Sequence, residues 1–256
     1  MNDIVNAIIE IPLKTKNKFE IDEKTKKIKL DRVLYSAMNY PAEYGYVEET
    51  YAYDKDPLDI LVISSEPTIP GCIVPARIIG YLEVIDNGFE DFKLISVVAV
   101  DPRYNEIHDL SDLSEFTLAE IKDFFENYKT LQKIKVVVKD YHSKQEALDM
   151  IKLCQNRYIL KNNLQDSQIT DIIITPNDNQ DEKEKATCKI EYNNGLILDN
   201  VKIIQTPDKL TIALKKDLFE DIKLTKEFLK NLENKVIKKG TPVAFLFYRF
   251  ISASDP

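Results

Sequence analysis

Asp54-Lys55-Asp56-Pro57-Leu58-Asp59 places three carboxylates within six residues, directly ahead of the apolar run Ile60-Leu61-Val62-Ile63. Carboxylate oxygens are what hard divalent cations take as ligands, so the stretch reads as a metal site. Strict strand alternation would put Asp54 and Asp56 on one face and Asp59 on the other, but Pro57 can bend the chain so that all three converge. Asp and Pro are also common turn residues, and the same hexapeptide fits a solvated hairpin corner. A calcium loop of the EF-hand kind fits worse. It needs Gly at its sixth position and Glu at its twelfth, where this chain has Asp59 and Ser65.

Further groups with the right chemistry lie near by in sequence. Asp86 and Asp91 fall in a loop between two predicted strands, with Lys93 just beyond; Lys18 and Glu20 bracket Phe19; Arg32 follows Asp31; Tyr40 and Tyr44 flank Pro41. The formal net charge of -8 argues against a nucleic-acid partner, which needs clustered cations on an electropositive face. With 35 Lys and Arg, a small anion held by a few cations and bridging metal ions suits the balance better. His108 and His142 read as surface or loop histidines, since nothing near them has metal spacing. Cys72, Cys154 and Cys188 are far apart and odd in number, which predicts buried or inert thiols rather than disulfides or a zinc site. There is no apolar run near the ~18 residues of a membrane span and no signal-peptide layout, so the expectation is a cytoplasmic protein with no membrane partner.

These groups need elements to hold them. Val5 to Ile11, Ile28 to Leu30, Ile60 to Ile63, Ile73 to Val84 and Lys93 to Val100 carry the β-branched enrichment of sheet, and short strands on tight loops suggest a barrel. Two helices follow. The first has Leu118, Ile121, Phe124, Phe125 and Tyr128 on one face; the second opens with the capping box Ser143-Lys144-Gln145-Glu146, with Leu148, Ile151 and Leu153 behind it. Ile134 to Val138 reads as a strand between them, giving an α+β domain with strands first and helices late. Composition turns polar from Lys161 to Asp166, which predicts a linker and a domain boundary, 1–162 against 163–256.

The second region reads as a small α+β domain. Asn193-Asn194-Gly195 predicts a hairpin between Ala186 to Tyr192 and Leu196 to Ile204. Thr206-Pro207-Asp208-Lys209 marks a turn before Leu210 to Leu214, Ile169 to Ile174 is a further strand, and Asn177 to Lys185 is an acidic loop. A helix carries Phe228, Leu229, Leu232 and Val236 on one face and stops at Gly240, ahead of a last strand from Pro242 to Phe250.

The first region resembles the soluble, family I inorganic pyrophosphatases. The motifs that carry the likeness are Ile9-Glu10-Ile11-Pro12, Lys18-Phe19-Glu20-Ile21-Asp22, Asp31-Arg32, Tyr40-Pro41-Ala42-Glu43-Tyr44-Gly45-Tyr46, Asp54 to Asp59, Asp86 to Lys93, and Tyr128-Lys129. No single one is decisive, but they follow the family's order over roughly the first 160 residues. The resemblance implies a five-stranded OB-like β-barrel flanked by helices and Mg²⁺-dependent hydrolysis of inorganic pyrophosphate to two orthophosphates. It implies that Asp54, Asp59 and Asp91 bind one Mg²⁺, that Asp59 also faces a second, and that Asp86 with Asp91 holds a substrate-borne ion, with Glu10 an outer candidate. Asp56 would be the general base for a water bridging two metals. Lys18, Arg32, Tyr44, Lys93, Tyr128 and Lys129 would bind phosphate, Arg as a fork and Lys as a movable point charge. Lys129 also suits a plain helix end, and Glu20 and Tyr40 could simply orient neighbours or pack.

The chain departs from the pattern in places. Lys55 stands where the family has Gly, Ser, Asn or Asp, which would cost on the order of 1 kcal/mol if the backbone there has positive φ. Asn87 stands where an acidic residue is common, which removes one charge from outer metal binding. The segment Asp123 to Asn127 lacks the histidines of hexameric bacterial members, so family habit implies a homo-oligomer of unstated size. Nothing after Asn162 forms a catalytic cluster. A catalytically weak pyrophosphate-binding or scaffold protein acting through that region is the alternative to the enzyme.

Overall fold

The protein is described by a computed structural model covering residues 3–22, 24–25, 27–162, 168–177, 184–205, 210–214, 218 and 229–239. The chain divides into two compact units, Met1–Cys154 and Gln155–Pro256.

The first unit runs β1 (Ile4–Ile11), β2 (Asn17–Ile21), β3 (Ile28–Val33), β4 (Glu43–Val47), β5 (Asp59–Ile63), β6 (Ile73–Asp86), β7 (Phe89–Glu90), β8 (Lys93–Val98), α1 (Glu115–Asn127) and β9 (Val136–Ser143), and ends within α2 (Lys144–Asn162). The strand order β1-β4-β5-β8-β6, with β6 pairing back onto β1, closes a ring of five strands. β5 and β8 run parallel and the other pairs of the ring antiparallel. β7 and β9 extend β6 beyond the ring. Closure removes the unpaired edges that an open sheet exposes.

Both faces of the ring strands are buried, which is why Ile60 to Ile63 reads as an unbroken apolar run rather than an alternation. Ile60 and Val62 pack with Ile9, Ile78, Leu94, and Ala147, Ile151 and Cys154 of α2. Leu61 turns the other way, into a second cluster with Ile11, Ile79, Ile95 and the α1 residues Ile121, Phe124 and Phe125. Fully burying each Phe stabilises the fold by roughly 2–3 kcal/mol, enough to pin α1. Ser114 caps α1 by accepting from Thr117 N–H, and the predicted box opens α2, with Ser143 N–H donating 2.9 Å to Glu146 Oε2.

The Asp54 stretch is a turn that leads into β5: Ala52 N–H donates 2.8 Å to Asp56 O and β5 begins at Asp59. Other expectations need correcting. Asp86 and Asp91 do not share an open loop. Asp86 ends β6, and Asn87-Gly88, both with positive φ (51° and 87°), form the two-residue turn into β7. Asn-Gly is the strongest short hairpin signal, so Asn87 serves the turn. His142 lies on β9, not in a loop, its ring stacked on Tyr81 with centroids 4.4 Å apart and its nitrogens facing Glu83 and Glu146.

In the second unit β10 (Ile169–Pro176), β11 (Glu184–Tyr192), β12 (Ile197–Gln205) and β13 (Leu210–Ala213) form a four-stranded antiparallel sheet in that order, and α3 spans 229–239. Gly195, with φ 85°, makes the predicted turn between β11 and β12. Leu232 and Val236 of α3 are buried; Leu229 is exposed at its start. The linker after Asn162, the turn at Thr206 to Lys209, most of the acidic loop, Phe228, Gly240 and the expected last strand from Pro242 lie outside the described residues. Cys154 and Cys188 are buried and in no disulfide, and Cys72 is half-buried.

Candidate active site

One cavity of about 850 Å³ opens on the first unit, and every site residue anticipated from the sequence lines it: Glu10, Lys18, Glu20, Arg32, Tyr40, Tyr44, Asp54, Asp56, Asp59, Asp86, Asp91, Lys93, Tyr128 and Lys129. They come from different elements. β1 supplies Glu10, β2 supplies Lys18 and Glu20, β3 supplies Arg32, and the turn before β5 supplies Asp54 and Asp56.

Register explains how the centre forms. β5 lies parallel to β8 with Asp59 paired to Lys93, so an acid and a base that begin their strands meet across one rung. Lys93 is fully buried, its ammonium paired to Asp59, 2.5 Å from Asp91 Oδ1, and donating 3.1 Å to Tyr44 Oη. Tyr44 in turn donates 2.5 Å to Asp59 Oδ2. Burial works against the Lys93 charge, but the Asp59 and Asp91 carboxylates outweigh it and hold the ammonium well above its ordinary range. Asp91 is placed by the β6–β7 hairpin, its N–H donating 2.8 Å to Val84 O. Asp86, at the end of β6, pairs with Lys129 just past α1.

The turn carries the remaining acids. Lys55 has φ 77°, the left-handed conformation that costs a non-glycine residue about 1 kcal/mol. With the turn so bent, Asp56 N–H donates 3.1 Å to Asp54 Oδ1 while the Asp56 side chain stays exposed in the cavity. Burial, with the charges of Asp59 and Asp91 behind it, pushes the Asp54 carboxyl up to about 6. Burial also raises Asp91 and Glu10, against the pull of Lys93 and Lys18 respectively. Lys18 bridges Glu10 at 3.3 Å and Glu20 at 3.5 Å, and Arg32 faces Asp31 at 3.4 Å with its side chain 66% exposed.

An aromatic wall closes one side. The Tyr40 ring centroid is 5.1 Å from Tyr44, 4.6 Å from Phe124 and 6.4 Å from Tyr128. Burial raises the phenols of Tyr40, Tyr44 and Tyr128, which keeps them neutral donors.

The donor set fits a hard divalent cation in kind: Asp54, Asp59, Asp86 and Asp91 all line the cavity, and Asp54 and Asp91 are destabilised as anions by burial and by the Asp59 charge. Among the described residues no three acidic, His or Cys side chains form a ready-made cage. The protein's own cations hold those carboxylates instead, Lys93 between Asp59 and Asp91, and Lys129 on Asp86.

The cavity wall also includes Lys16, Lys24 and Lys29, which the sequence reading did not single out. They flank or belong to the β2–β3 hairpin. The alternation Lys18-Phe19-Glu20-Ile21 was the available signal for β2.

Known proteins resemble the first part of this chain. The family model described as inorganic pyrophosphatase matches residues 7–159. A curated inorganic pyrophosphatase of Geobacillus stearothermophilus is 50% identical over 157 residues, 61% of this chain and 95% of that protein. One from Malacoplasma penetrans is 52% identical over 137 residues, 54% of this chain and 76% of its own. The solved inorganic pyrophosphatase of Thermus thermophilus superposes with a TM-score of 0.59 at 41% identity, covering 61% of this chain and 91% of that one.

Proposed function

Since the chain belongs to the inorganic pyrophosphatase family, we propose the following account of how its residues carry out the activity, which is hydrolysis of inorganic pyrophosphate to two orthophosphates by an inorganic diphosphatase. The observation behind it is that Asp56, the phosphate-binding cations and the clustered carboxylates open on one cavity.

Asp54, Asp59 and Asp91 would hold Mg²⁺, with Asp86 serving the ion that arrives with substrate and Glu10 an outer ligand. When bound, the metal would neutralise the substrate's charge and make water easier to deprotonate. Lys18, Arg32, Lys93 and Lys129 take the phosphate oxygens, with Tyr44 and Tyr128 donating from the apolar wall. Glu20 orients Lys18, 3.5 Å away, and Tyr40 holds Tyr44 by ring contact. Asp56 accepts the proton of the attacking water as its oxygen bonds to one phosphorus. The bridging P–O bond breaks and its electron pair stays on the leaving phosphate. The cations stabilise the charge that develops there, which is where positioned charges contribute most.

Phosphate release from pyrophosphate with Mg²⁺ tests the assignment. Asp56→Asn should lower kcat by about 10²-fold or more with KM little changed, the effect of losing a positioned base. Full activity in that variant would remove Asp56 from the role.

We assign the activity to residues 1–162 and leave 163–256 as an extension without catalytic groups. Self-association and a cytoplasmic location are proposed on family resemblance. No helix among the described residues is long and apolar enough to cross a membrane. Sedimentation of the full chain would size the assembly.

A further inference from the structure

Seven Lys and Arg and eight Asp and Glu line the cavity, and the cations outside ion pairs belong to the β2–β3 hairpin and the residues beside it. Lys93, Lys129 and Lys18 are already engaged by Asp59 and Asp91, by Asp86, and by Glu10 and Glu20. Lys16, Lys24 and Lys29 line the same cavity, and none of the three is in an ion pair among the described residues.

The hairpin's register directs this charge. β2 and β3 pair only with each other, Lys18 opposite Arg32 and then Phe19 opposite Leu30, so the register shifts and Asp31 is passed over. Without that shift Arg32 and Lys29, three residues apart on a strand, would face opposite sides. With it, Lys29 lies opposite Glu20 and on the same face as the Lys18–Arg32 rung. Lys24 follows in the turn. Lys18, Arg32 and Lys29 therefore run outward from the diphosphate position along one face, with Glu20 on the Lys29 rung and Asp22 and Lys24 lining the cavity beyond it. The step from the Lys18 rung to the Glu20 rung is two residues of strand, roughly 7 Å, room for another phosphate group or two. A cavity of about 850 Å³ is of the size that takes a drug-sized ligand, and inorganic diphosphate is a much smaller one.

We propose that Lys24 and Lys29, with Lys16, form an outer anion subsite that holds the phosphates of a linear inorganic polyphosphate beyond the terminal two. This rests on the inner cavity being the diphosphate site. Longer chains are then competitive ligands of the enzyme, gripped more firmly than diphosphate by the added charge-assisted hydrogen bonds.

The test is calorimetric titration of the full chain, in Mg²⁺, with imidodiphosphate and with diimidotriphosphate, analogues whose P–N–P links resist hydrolysis. The native chain should bind the triphosphate analogue more tightly. The double variant Lys24→Gln, Lys29→Gln should weaken that binding about tenfold while imidodiphosphate stays within about twofold, and Lys29→Arg alone should keep it. Equal loss for both analogues would mean a general field rather than a subsite, and loss for neither would mean no contact; either overturns the proposal. If the triphosphate analogue binds through these lysines and the diphosphate analogue does not bind at all, the subsite stands and the inner-site assignment fails.

Discussion

Lys93 is held by two carboxylates that an incoming divalent cation would also claim. Its ammonium is buried against Asp59 and Asp91, so removing it leaves two partly buried acids without their shared counter-charge. Breaking a buried ion pair from one side costs about 3 kcal/mol or more, because the remaining charge is uncompensated. Lys93→Met should therefore lower the unfolding temperature of the metal-free chain markedly. Added Mg²⁺ should recover more stability in the variant than in the native chain, since the acids then have a counter-ion. Equal Mg²⁺ stabilisation of both, read by thermal unfolding, would show that Lys93 and metal do not share these carboxylates. The residues of this site were picked out by the order in which they follow the family's motifs, since the Asp54 stretch alone fits a solvated corner as well. What spacing could not show was that Lys93 pairs with Asp59 as well as with its neighbour Asp91. That contact exists only through the parallel β5–β8 register.

Gly45 fixes the rung on which half of the site depends. A Cβ there would lie 1.8 Å from Ile8 O and 2.9 Å from Ile9 Cα, both backbone atoms that cannot step aside. The β1–β4 pairing, Ile9 opposite Gly45, must open to admit a side chain, and Glu10 and Tyr44 sit beside that rung. Gly45→Ala should cost on the order of 3 kcal/mol in urea unfolding, the upper end of ordinary overpacking, and should raise KM for pyrophosphate. An unchanged midpoint would mean that the strands separate easily. At this level the sequence was half readable. The long apolar strands and both helices announced themselves through periodicity and caps. β2 and β4 did not, because Asn17 to Ile21 is short and only half-buried and Glu43 to Val47 is short and interrupted by Gly45. The turn of Asp54 to Asp56 was readable from its Asp and Pro, and the positive φ of Lys55 is where the chain bends.

The whole chain joins a unit that belongs to a known family to a second compact unit. Among the described residues, those lining the cavity lie before Lys135, and the family match ends at residue 159. The second unit has its own sheet, with Ile190, Leu198, Val201, Leu232 and Val236 buried. Its hairpin at Asn193-Asn194-Gly195 was legible from turn chemistry, which is local, but no residue pattern there states a task. If catalysis is confined to the first unit, a chain ended at Lys161 should fold and hydrolyse pyrophosphate with kcat/KM within about threefold of the full chain, a difference under 1 kcal/mol in transition-state stabilisation. The relative from Geobacillus stearothermophilus, matched over 95% of its own length by this chain, supports that expectation. A folded truncated chain that had lost hydrolysis would show that the second unit is needed for the active geometry. Retained kcat with a changed sedimentation coefficient per chain would instead assign the extension to assembly, and the two results separate cleanly because one reads chemistry and the other reads mass.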